Sequence, residues 1–156
     1  MIEDAVCQLL SESAQKVLET MFFTAPESVS AEPQRPPGKL IAASLTFRGA
    51  PPGRFGVVVS DPTARTLAAN FLGVEDETRL LPVQVAEVMG ELTNMISGAV
   101  LSELESDANF DLAAPILVRV GTDEMAPDFS AGTPSICRFE FPNGTLVLFF
   151  AFEAPV

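Results

Sequence analysis

Residues 135–154 read SICRFEFPNGTLVLFFAFEA, two apolar and aromatic runs that meet at the Asn143-Gly144 dipeptide. Asn-Gly is the favoured pair of a type I′ turn, because both central residues must take positive φ, so the spacing predicts a β-hairpin. In the second run Leu146, Leu148, Phe150 and Phe152 fall on one side and Val147, Phe149 and Ala151 on the other, since side chains alternate along a strand. Both faces are apolar. A sheet covered on one face alone would leave phenylalanine in water, which predicts a homodimer.

Working outward, LAAPILVRVG (112–121) is a third strand candidate, and KLIAASLTFRGAPPGRFGVVVS (39–60) holds two more, Lys39 to Phe47 and Gly53 to Ser60, around a Gly/Pro turn. Three segments carry a helical period instead. From Ile2 to Phe23 the apolar residues Val6, Leu9, Leu10, Val17, Leu18, Met21 and Phe22 outline an amphipathic helix. A second helix is expected to start at Ser60 or Asp61, with Pro62 in its first turn where no N–H is missed, and to stop near Gly73. A third runs from about Pro82 to Ser106. The expected order is α-β-β-α-α-β-β-β, an α+β fold with a largely antiparallel sheet. The 156 residues suit one domain spanning 1–156, and the stretch 25–38, rich in proline, reads as an irregular connection.

Composition narrows the chemistry. Twenty-one acidic against nine basic residues give a formal charge of −12, which opposes binding to nucleic acid or to an anionic membrane surface. No apolar run approaches the roughly 20 residues of a membrane span, and no basic stretch precedes an apolar one at the start, so a cytoplasmic protein is expected. There is no histidine, which rules out Ser-His-Asp and Cys-His triads and any metal site that needs imidazole. Cys7 and Cys137 lie in no CxxC motif and read as structural thiols.

What remains is carboxylate and amide chemistry, and the third helix concentrates it. At about 100° per residue, Glu87, Glu91, Asn94 and Gly98 fall within about 60° of one another, while Val85, Val88, Met89, Leu92, Met95, Ile96 and Ala99 make up the opposite face. The stripe is either a solvated surface or a site. A solvated surface needs neither two like charges at i,i+4, which cost about 0.2–0.5 kcal/mol, nor glycines at Gly90 and Gly98, which cost about 0.5–1 kcal/mol each. The glycines serve either a partner's approach or close packing within the chain. Two carboxylates without histidine give poor support to a metal-dependent hydrolase.

AEVMGELTNMISG (86–98) followed by APILV (114–118) resembles the signature of the CheX/CheC chemotaxis phosphatases: an acidic residue or Ser, then ExxN, then a proline some twenty residues on. Glu87, Glu91, Asn94 and Pro115 take those places, with Glu where Asp or Ser is usual, and Pro115 reads equally as a strand start or bend. VLETMFF, SLTFRG with GRFGVVVS, and FEFPNGTLVLFFAF resemble the family's first helix, first strands and closing hairpin. Aligning Met21 with Met95 puts Val17 and Thr20 where a second ExxN pair would stand, so the resemblance implies one site per chain, as in the CheX branch. It further implies a phosphorylated CheY-like receiver domain as partner and substrate, with Mg²⁺ held by the receiver and no cofactor of the chain's own. Asn94 would position water, Glu91 would pair with the receiver's lysine, and Glu87, Gly90 and Gly98 would border the partner. Subunits would dimerise by pairing their sheets. A non-catalytic adaptor that binds a receiver or a flagellar switch component is the alternative.

Overall fold

Val6, Leu10, Ala14 and Leu18 recur every fourth position and are buried along one side of α1 (Ile2–Met21), so the period that makes the segment helical also sets the face it buries. The structure, a computed structural model, describes residues 2–32, 36–49, 52–104, 111–112, 116–120 and 135–152. After α1 come β1 (Ser28–Ser30), β2 (Leu40–Arg48), β3 (Gly53–Ser60) and α2 (Asp61–Leu72). A 3₁₀ turn (Glu77–Arg79) leads into α3 (Pro82–Leu104), and β4 (Asp111–Leu112), β5 (Ile116–Val120), β6 (Ser135–Phe141) and β7 (Gly144–Phe152) follow. The fold is α+β, as expected.

The sheet is antiparallel throughout, in the order β1-β6-β7-β3-β2-β4, with β5 also paired to β2. Its helix-side face carries Ile41, Ala43, Leu45, Phe47, Phe55, Val57, Val59, Phe139, Leu146, Leu148 and Phe150, which form one buried cluster with residues of all three helices. Phe47 stacks on Phe150 with ring centroids 5.7 Å apart.

Four expectations need correction. The connection at 25–38 is not irregular throughout, because Ser28–Ser30 adds a short edge strand to β6. The described parts of the strand expected over 112–121 are β4 and β5, both on β2, and the pairing begins one residue earlier, at Asp111. The second sheet face is not left open for another copy: Leu40, Ala42, Val58 and Val147 are at most 1% exposed and Phe149 is half-buried within the single chain. Exposed phenylalanine therefore gives no argument for a dimer.

The fourth correction concerns the hairpin turn. Phe141 pairs with Gly144, so the loop residues are Pro142 and Asn143, and proline's fixed negative φ excludes a type I′ turn. Phe23 is the only described non-glycine residue with positive φ. Asn143 is there for another reason: its Nδ2 donates to Pro62 O (3.2 Å) and Thr66 Oγ1 (2.9 Å), and its Oδ1 accepts from Thr63 Oγ1 (3.1 Å). These bonds tie the turn to the start of α2. Gly144 answers a demand for space, because a Cβ there would lie 2.5 Å from Thr63 Oγ1 and 2.7 Å from Ser60 Cβ.

Ser60 precedes α2 as expected but makes no capping bond to the helix. Its Oγ accepts from Thr145 N at 3.0 Å and so joins β3 to β7. Gly73 ends α2 in the left-handed conformation (φ 71°), the usual role of glycine after a helix. Both cysteines are free. Burial pushes the Cys137 thiol up to about 11, against a hydrogen bond from Ser11 that lowers it, so at neutral pH it is an inert part of the core.

Candidate active site

Val85, Val88, Met89, Leu92 and Ile96 are at most 3% exposed and hold α3 against the core, which fixes the rotation of the helix and therefore the direction of its polar stripe. At its start Gln84 Oε1 accepts from Leu81 N at 2.8 Å, reaching back over the first turn to a donor that the helix leaves unpaired. Thr93 and Ser97 are buried polar residues on this helix, and each returns its hydroxyl to a carbonyl one turn back, Met89 O (2.7 Å) and Asn94 O (3.1 Å).

With that rotation fixed, Glu87 and Glu91 stand exposed, while Asn94 and Gly98 are half-buried. Glu87, Glu91 and Asn94 line an open groove of about 390 Å³ together with Val88 and Gly90 of α3 and with Phe71 and Leu72 of α2. The structure thus brings three of the stripe residues together with Gly90. Gly98 is not among the residues lining the groove, and Gly90 is buried. Pro115 lies outside the described residues.

Among the described residues, no ion pair or hydrogen bond engages the carboxylates of Glu87 and Glu91 or the side-chain amide of Asn94. This is unusual for a half-buried carboxamide, which has two donors and an acceptor to satisfy. The groove thus presents two carboxylates suited to a cation and a neutral amide able to hold a water and an anionic oxygen together. No group of three or more His, Cys, Asp or Glu residues that could hold a metal occurs among the described residues.

The apolar wall escaped the reading of α3 alone, because Phe71 and Leu72 belong to another helix. Their signal in the sequence is weak: two large apolar residues directly before the glycine that stops α2.

A family model described as chemotaxis phosphatase CheX matches residues 41–138. The chain belongs to the CheX family. That match contains the whole of α3, and with it Glu87, Glu91 and Asn94. No curated protein is similar enough to match. A CheX from Vibrio vulnificus is similar in structure at a TM-score of 0.71 and 23% identity, the alignment covering 94% of this chain and 95% of that one. A CheX of Borrelia burgdorferi, solved in complex with CheY, BeF3 and Mg²⁺, gives 0.73 at 17% identity, covering 94% and 97%. FliY from Thermotoga maritima gives 0.64 at 16% identity, covering 94% and 88%. At these identities the likenesses establish the fold. Among the described residues, no helix of this CheX-family chain is long and apolar enough to cross a membrane.

Proposed function

We propose that the chain is a phosphatase acting on the phospho-aspartate of a CheY-like receiver domain, in chemotaxis or a related two-component pathway of the cytoplasm. The observation that carries this reading is Asn94: a half-buried side-chain amide with no hydrogen-bond partner among the described residues, one turn from Glu91, whose carboxylate has none among them either. Membership of the CheX family supports it, as does the complex that the Borrelia relative forms with CheY.

The chemistry asks little of the phosphatase. An acyl phosphate has a good leaving group, and transfer passes through a loose in-line transition state, so catalysis is mostly positioning. Water attacks phosphorus as the bond to the aspartyl oxygen breaks, which releases inorganic phosphate and returns the aspartate carboxylate. Mg²⁺ and lysine of the receiver stabilise the phosphoryl charge. Asn94 accepts a hydrogen bond from the water through Oδ1 and donates through Nδ2, without bringing negative charge to an anionic centre. Glu91 pairs with the receiver's lysine and sets the docked orientation.

The test is to follow phosphate loss from a labelled receiver with the protein at substoichiometric concentration. Accelerated, saturable loss supports the phosphatase, and binding with unchanged or slowed loss supports the alternative, a non-catalytic adaptor. The likeness to FliY is what keeps that second reading in view.

Glu91→Ala is expected to weaken docking and turnover together, raising Kd for a phosphorylated receiver several-fold, because an ion pair made in the docked state contributes to both. A binding titration beside the phosphate assay measures it. A homodimer is also proposed, from the family resemblance and from the edge strand β1, whose three residues are all exposed. Light scattering at micromolar concentration should give twice the chain's 16.6 kDa.

A further inference from the structure

Leu72 is the last residue of α2 and stays 44% exposed, although it lines the same groove as Glu87, Glu91 and Asn94. Its neighbours are held by specific contacts. Gly73 ends the helix immediately after it, Phe71 stacks on Phe22 with ring centroids 5.0 Å apart, and Asn70 Nδ2 donates to Phe22 O at 2.9 Å. The end of α2 is thus tied to the end of α1 and brings an apolar surface into the groove that Glu87 and Glu91 line.

Resting on the receiver reading above, we propose that Leu72, backed by Phe71, is the anchor that selects which receiver docks: the groove takes a receiver surface on which an apolar side chain stands beside a lysine. Charge complementarity identifies the occupant. Glu87 and Glu91 have no partner within the described chain, and the whole chain carries −12, so an acidic or neutral apolar surface gains nothing from the rim. The lysine alone cannot discriminate, because the active-site lysine is common to receivers and exposed ion pairs contribute little. Burial of an apolar anchor in a preformed wall adds affinity that depends on what the partner offers there.

The probe is a CheY-type receiver loaded with Mg²⁺ and beryllofluoride, titrated against the wild-type protein and three variants. Leu72→Ala should raise Kd about tenfold, or about 1.4 kcal/mol, and Leu72→Met should bind close to wild type. Val29→Ala, an equally exposed apolar truncation on β1, should leave Kd unchanged. Across a panel of receivers, Leu72→Ala should compress the spread of Kd values. An unchanged Kd for Leu72→Ala, an equal rise for Val29→Ala, or a wild type that binds no receiver overturns the anchor. If the wild type binds but does not accelerate phosphate loss, the phosphatase reading fails and the anchor is still decided by Kd. A change in the mass of the free protein on Leu72→Ala would make a second copy the occupant and also overturn it.

Discussion

Asn94→Ala is expected to lower kcat for receiver dephosphorylation about a hundredfold, toward the receiver's own rate, while the variant still binds a phosphorylated receiver. Each tenfold in rate corresponds to about 1.4 kcal/mol, so a hundredfold loss asks one positioned amide for about 2.7 kcal/mol. The contact forms with the attacking water, and its loss therefore falls on kcat and leaves docking intact. Stability should change by no more than about 0.5 kcal/mol, because the amide has no hydrogen-bond partner among the described residues. Phosphate release, a binding titration and a denaturant melt on the same preparation measure all three. Full turnover in the variant would remove the water-positioning role, and an unfolded variant would make Asn94 structural.

Leu92→Ala, two positions away on the same helix, should behave in the opposite way. Leu92 is fully buried in the cluster that joins α3 to the sheet, so truncation removes apolar burial and leaves a cavity, at a cost of about 2–5 kcal/mol. Against a typical stability of about 5–15 kcal/mol this is a large fraction. The urea midpoint should fall while the slope of the transition holds, and turnover per folded molecule should stay near wild type. The two variants together separate the working face of α3 from its supporting face.

The sequence made most of this helix legible because a 3.6-residue period leaves little freedom. Once Val85, Val88, Met89, Leu92 and Ile96 take the core, Glu87, Glu91 and Asn94 have only one direction left. The groove was not legible, since its second wall comes from α2 and no period within one helix reports a neighbour. Gly90 and Gly98 separate for the same reason: both break the helix propensity equally, yet only Gly90 lies in the groove. The hairpin was found through a dipeptide whose rule did not apply. Asn143 and Gly144 mark a turn, but their identities answer to the start of α2, through three hydrogen bonds and a missing Cβ, and Pro142 takes the first loop position. Strand Ser28–Ser30 was hidden because its prolines lie outside the three residues that pair.

The pairing of β3 with β7 also sets the order in which the protein assembles. Gly53 lies opposite Phe152 and Val59 opposite Leu146, so the centre of the sheet joins segments about ninety to a hundred positions apart, with two helices and the strands β4, β5 and β6 strung between them. Closing such a loop costs entropy before any contact repays it. The hairpin of β2 and β3 and the turns of α3 can form from local contacts, and α3 rests on α1, β2 and β5, whereas the helix that packs on β7 is α2. Folding is therefore expected to be slower than that of a helical bundle of similar length, with the seat of α2 completed when β7 closes on β3.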